Sequence, residues 1–169
     1  MRVGVLSDTH LRESQYLPGF VWDIFEGVDL ILHAGDIVRQ EVINDLAVLA
    51  PVRAVRGNCD GRELADLPSR DIIDLAGLRI GLIHGNVGIG STTQERALNA
   101  FAAESVDIVV FGHSHQPFWG WINNILLFNP GSSTDKRREK HFSLGTIELI
   151  NGQIAANHHF FNGSGEKIR

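Results

Sequence analysis

Apolar residues follow two rhythms along this chain. Short, nearly unbroken runs lie at residues 3–6, 30–32, 52–55, 78–83 and 108–111. Runs of that length bounded by glycine or polar residues predict strands buried on both faces. Between them the spacing changes. Leu17, Phe20, Val21, Ile24 and Phe25 recur at helical intervals, with Pro18 placed for a first turn and Gly27 for a stop. Val42, Leu46 and Leu49 predict a second helix over residues 39–49, ended by Pro51. Thr92 and Glu95 have capping-box spacing, and Leu98, Phe101 and Ala102 are the expected inner face of a third helix. Three pairs of strand-like runs flank tight-turn dipeptides: Ala76-Gly77, Asn123-Asn124 and Asn151-Gly152. Residues 61–70 are charged and read as irregular. The polar tail from Asn162 reads as frayed. Trp119 and Trp121 share one strand face and are expected in the core.

Strand and helix alternate over the first two-thirds, and the last third is nearly all strand. That order predicts an α/β protein of two packed sheets with helices on the outer faces. No linker or repeat interrupts it, so residues 1–169 are expected to form a single domain, with the last third in the second sheet. Composition adds little: 43% hydrophobic and 21% charged residues are ordinary for a globular chain. The net charge of −5 argues against bulk nucleic-acid binding but not against an anionic substrate, since bound divalent metals supply local positive charge. One cysteine, Cys59, precludes an intrachain disulfide. The pattern shows no signal peptide and no membrane span, so a cytoplasmic setting is expected, and nothing in it opposes a homo-oligomer.

What changes the picture is where the strands end. The first runs into Asp8-Thr9-His10, the second into Ala34-Gly35-Asp36, and the third into Gly57-Asn58-Cys59-Asp60. The fourth runs into His84-Gly85 and the fifth into Gly112-His113-Ser114-His115. Ligands collect at the carboxyl ends of strands in open α/β sheets. Asp8, His10, Asp36, Asn58, His84, His113 and His115 offer carboxylate, imidazole and amide donors, suited to Mn, Fe, Zn or Ni. Seven donors exceed one tetrahedral site. They divide between two ions if a carboxylate, Asp36 or Asp8, bridges. Two such ions clamp a phosphoryl group and acidify a shared water.

The order Asp-x-His, Gly-Asp, Gly-Asn-x-Asp, His, Gly-His-x-His resembles the calcineurin-like metallophosphoesterase superfamily. Asn129-Pro130-Gly131-Ser132 resembles a segment of its small bacterial and archaeal phosphodiesterase branch. The resemblance implies a four-layer α/β/β/α sandwich of two mixed sheets. It implies one metal on Asp8, His10, Asp36 and His115, and another on Asp36, Asn58, His84 and His113, with manganese the first expectation. The implied activity is hydrolysis of a small phosphodiester by a hydroxide held between the two ions. The alternatives are a phosphomonoesterase of the same fold or a non-catalytic scaffold like the retromer subunit that shares it.

By the same resemblance, His113, Asn58, Cys59 and Asp60 are the candidates for catalytic roles, Asp60 by orienting a partner. Cys59 stands where many members carry the His that protonates the leaving oxygen. A neutral thiol is the poorer acid, which shifts the expectation toward diesters. His33 is expected to pack or to support a ligand, and His141, His158 and His159 to be structural. Lys136, Arg137 and Arg138 form a basic run after the Asn-Pro-Gly-Ser turn, near enough in sequence to bear on substrate phosphate.

Overall fold

The computed structural model describes residues 1–168. One mixed sheet is built on β1 (Arg2–Leu6), β2 (Leu30–His33) and β3 (Val52–Ala54), all parallel. The other contains β4 (Arg70–Leu75), β5 (Leu78–Ile83), β6 (Ile108–Val110), β7 (Phe118–Ile122) and β8 (Ile125–Asn129). Its order is β4-β5-β6-β8-β7, with β5, β6 and β8 parallel and both edge strands antiparallel. Helices α1 (Gly19–Phe25) and α2 (Gln40–Ala47) cover the first sheet, and α3 (Thr93–Asn99) covers the second.

Three apolar layers hold these four together. Between the sheets, Val3, Val5, Leu30 and Leu32 meet Ile80, Leu82, Ile108 and Val110. Outside the first sheet, Leu6 and Ile31 pack on Phe20, Val21, Phe25, Val42 and Leu46. Outside the second, Val109, Phe111 and Leu127 pack on Ala97 and Phe101. Strands buried on both faces explain the unbroken apolar runs. α3 opens with the complete Thr92–Glu95 capping box.

The remaining strands depart from expectation. β9 (Phe142–Ile150), β10 (Gln153–Phe161) and β11 (Lys167–Ile168) join the first sheet, whose order is β11-β10-β9-β1-β2-β3. Only β7 and β8 of the last third lie in the second sheet. The cause is the free edge of β1: it is buried, β2 satisfies one side, and β9 supplies the other, starting with Arg2 opposite Glu148. Nor is the tail frayed over its described residues, 162–168; Arg169 lies outside them. Asn162 Oδ1 accepts the N–H groups of Ser164 and Glu166, and this turn returns the chain to pair Phe160 with Ile168. Residues 61–70 carry a 3-10 turn at Arg62–Leu64 that buries Leu64, and β4 already begins at Arg70.

Trp119 and Trp121 are not core residues. They pair with the buried Phe128 and Leu126 and so face the other sheet, yet each stays half exposed, because the first sheet's cover ends at β8. Ala102 is exposed, since α3 stops at Asn99 and position 102 lies beyond its period. Among the described residues no helix is long and apolar enough to cross a membrane.

Candidate metal centre

The loops after β1, β2, β3, β5 and β6 converge, and their backbone is strained where they meet. Asp8, His10, Asp36, His113 and His115 have φ of 54°, 46°, 55°, 67° and 58°. Left-handed backbone costs an L-residue roughly 1–2 kcal/mol. Five such residues in one place are held there by their surroundings, a pattern found at functional sites. The loops are stitched together by backbone bonds from Asp8 N to Gly35 O and from His10 N to Asp36 O, both 3.0 Å, and from Gly112 N to His84 O at 3.2 Å.

The side chains form two overlapping groups. In one, His115 Nε2 lies 3.3 Å from Asp8 Oδ1 and 3.2 Å from His10 Nε2. In the other, His84 Nε2 lies 3.2 Å from Asn58 Oδ1, and the His113 ring stands edge-on to His84 with centroids 5.1 Å apart. Asp36 joins them: its Oδ2 is 3.5 Å from His10 Nε2 and 3.3 Å from His84 Nε2. All seven ligand candidates are therefore in this neighbourhood. Asp8, Asp36, His84 and His115 are buried, His10 and His113 half-buried, and Asn58 exposed.

Three observations fit this cluster to cations. Asp8 Oδ1 is buried and receives no hydrogen bond, although a buried carboxylate oxygen needs a partner. His84 Nδ1 donates to Ala34 O at 2.8 Å, and His115 Nδ1 donates to Asp135 O. Each imidazole thus directs its Nε2 into the cluster, the nitrogen a metal would take. Carboxylate and imidazole atoms of Asp8, His10 and His115, and of Asp8, Asp36 and His84, lie within 4.8 Å of one another.

The electrostatics favour the unprotonated form at some donors and the protonated form at others. Burial pushes Asp8 up to about 7 against the pull of His84 and Ser7. Burial also lowers His10, His113 and His115, which favours the neutral, ligating form. At Asp36, burial is outweighed by the hydrogen bond and charge of His84 and by the Cys59 N–H, so its carboxyl lies well below the usual range. At His84, burial is outweighed by Asp36 and Asp8, and its pKa is raised.

Asp60 has a different role from its neighbours. Its Oδ1 accepts the N–H groups of Ile37 and Val38, both at 2.7 Å, and its Oδ2 those of Asp36 at 3.1 Å and Gly57 at 2.7 Å. With both oxygens on backbone N–H groups, Asp60 ties the Asp36 loop to the Gly57 turn. Gly57 serves the same closeness, for a Cβ there would sit 2.3 Å from Asp36 N. Gly112 passes similarly close to Ser7 and Asp8.

Cys59 donates its backbone N–H to Asp36 Oδ1 at 2.7 Å, and burial with the adjacent Asp36 pushes its thiol up to about 11. It is exposed beside His10, Val38, Asp135 and Arg137, in a cleft of about 640 Å³ that Arg12 also lines. Lys136 and Arg138 face another hollow, with Ser114 and Gln116. Fully buried His33 lies under the centre, its Nε2 3.2 Å from Thr9 Oγ1, and burial lowers it to about 4. His158 is bonded to Asn129 O and stacked on Phe128, and His159 reaches Thr146 Oγ1.

Two supporting residues were not among the site candidates. Ser7 Oγ donates to Asp8 Oδ2 at 2.7 Å, where His113 N also donates. Ser132 Oγ donates to Asp8 O at 2.7 Å and accepts the N–H of Asp135 at 2.8 Å. The Asn-Pro-Gly-Ser turn is therefore a clamp on the Asp8 loop, a function visible only once positions 124 apart in sequence are brought together.

Comparison with known proteins shows relatives of the chain and of its fold. A probable metallophosphoesterase of Methanothermobacter thermautotrophicus is 40% identical over 139 residues, covering 81% of this chain and 80% of that one. A phosphodiesterase of Methanocaldococcus jannaschii is 30% identical over 148 residues, 78% of this chain and 83% of its own. The fold matches that of Vps29 from Entamoeba histolytica, solved in complex with zinc, with a TM-score of 0.83, 22% identity and coverage of 99% and 98%. Residues 1–152 match the sequence profile of the calcineurin-like phosphoesterase superfamily domain. With strand-end donors in the order that superfamily uses, an α/β fold of the same kind and relatives of this identity, the chain belongs to the calcineurin-like phosphoesterase superfamily.

Proposed function

We propose that this protein is a dinuclear, metal-dependent phosphodiesterase acting on small esters. The observation that carries the reading is the position of Asp36 Oδ2, 3.5 Å from His10 Nε2 and 3.3 Å from His84 Nε2, between two sets of donors. Asp8, His10, Asp36 and His115 would hold one ion, and Asp36, Asn58, His84 and His113 the other. Divalent ions there supply Lewis-acid polarisation of the phosphoryl group and an acidified water. Nitrogen and oxygen donors without thiolate suit manganese, with Fe, Zn or Ni as substitutes.

The chain's own residues do the rest. Asp60 and Ser132 hold the Asp36 and Asp8 loops, so the donors need no rearrangement. Arg12 and Arg137 line the cleft that opens beside His10 and give an anionic ester a cationic lip in an otherwise acidic protein. Cys59 keeps its proton at neutral pH, with a thiol pKa of about 11, and delivers it poorly to a departing alkoxide. That supports diesters with good leaving groups over monoesters. The intact donor set favours catalysis over a purely scaffolding role.

The test is hydrolysis of bis(p-nitrophenyl) phosphate and p-nitrophenyl phosphate with Mn²⁺ supplied, beside metal analysis. The expected result is about two ions per chain, preference for the diester, and loss of turnover in Asp36→Ala with the fold retained. Preference for the monoester would overturn the diester reading. Near-normal turnover in Asp36→Ala would overturn the bridge.

A further inference from the structure

Beside the cleft at the metal centre lies a second hollow of about 680 Å³, and Leu11, Gln15 and Thr134 line both, so the two are neighbours across Leu11. The second hollow lies between the start of α1 and the turn at residues 162–165. Its floor is apolar, made by the buried Leu11 and Phe20 and the half-buried Phe142. Tyr16 stands at its edge with 79% of its surface exposed. Gln15 and Asp23 add polar groups. Gln15 Oε1 accepts from Arg12 N at 2.8 Å, which leaves its amide N–H groups for another partner.

The walls are preformed. Phe20 stacks on Phe161 with centroids 3.9 Å apart, Asn162 Oδ1 closes its own turn, and Thr134 N is tied to Ser132 Oγ. A preformed hollow of this volume is the ordinary size of a small-molecule site. A hydrocarbon chain would desolvate Gln15 and Asp23 without pairing them. A flat ring carrying hydroxyl groups satisfies both halves of the lining: the ring against Tyr16 and the apolar floor, the hydroxyls against the amide and the carboxylate.

We infer that this hollow is the subsite for the organic limb of the substrate, and that the limb is of nucleoside type. The inference rests on the phosphodiesterase reading, because it places the phosphoryl group at the metal centre beside the lip of Arg12 and Arg137, with one ester limb running over Leu11 into the hollow.

The test compares two diesters with one leaving group, thymidine 5′-(p-nitrophenyl phosphate) and methyl p-nitrophenyl phosphate, with Mn²⁺ present. Tyr16→Ala is expected to raise KM for the thymidine ester roughly 5- to 150-fold, the effect of removing one stacking ring. The methyl ester and kcat for both stay unchanged, and Tyr16→Phe behaves as wild type. Equal losses on the two esters, or none on the thymidine ester, would overturn the subsite. A second measurement needs no turnover: thymidine 5′-monophosphate titrated into ¹⁵N-labelled protein should shift the amide resonances of Tyr16, Phe20 and Gly165. Shifts confined to the His10 and Cys59 end would overturn it as well. If neither ester is hydrolysed, the phosphodiesterase reading fails, and the titration alone decides the subsite.

Discussion

Asp60 carries no ligand atom and still organises the centre, because four N–H groups from two loops end on its oxygens. Asp60→Asn replaces one acceptor oxygen with an amide N–H₂ facing those donors. Such supporting contacts are worth about 10–100-fold in metal affinity. That loss is expected for Mn²⁺ added to the metal-free variant, measured by calorimetry; an unchanged affinity would contradict the positioning role. Cys59 makes a second prediction at this scale. Cys59→His supplies an acid with an ordinary pKa near neutrality, where the thiol sits at about 11. Monoester turnover should rise, by up to about 100-fold, while activated diesters change little. A wild type that already prefers monoesters would refute this reading of Cys59.

At the scale of elements, the β10–β11 turn makes the clearest prediction. Phe161 is 3% exposed and stacked on Phe20. Phe161→Ala should cost about 3–5 kcal/mol, read as a lowered midpoint in urea. The same region marks where reading the sequence stopped. Apolar runs and helical spacing locate the helices and the parallel strands because each signal is local. The strand-end donors are legible for the same reason: each loop declares its own Asp, Asn or His. Sheet membership of β9 was not legible, since it depends on which buried edge lacks a partner. Ser132 was not legible as a clamp, because its acceptor is the Asp8 carbonyl at the other end of the chain. Polar composition at residues 162–166 concealed a turn, which only the side-chain acceptor of Asn162 reveals.

At the scale of the molecule, the centre couples stability to pH and metal. Asp8 rises from 3.8 to about 7 on folding, so the native state binds the extra proton across that window. The stability this provides is complete below about pH 4 and is lost as pH rises through about 7. Relative to Asp8→Asn, the metal-free protein should therefore lose melting temperature between pH 5 and pH 8. The comparison separates Asp8 from His33 and His159, whose lowered pKa values act in the opposite sense. Mn²⁺ should raise Tm far more at pH 8, where no proton competes for Asp8. Thermal melts with and without the ion check this; an ion effect larger at pH 5 would refute it. The placement of β9 beside β1 has one more consequence, in the life of a growing chain. A ribosome delivers Asp8, Asp36 and His84 early, but the β1 edge and the Asp8 carbonyl wait for residues beyond 130. The first strand made is thus among the last to be completed. A chain that stops just short of residue 132 therefore carries the donors but neither the β9 partner of β1 nor the Ser132 hydrogen bond that holds the Asp8 loop.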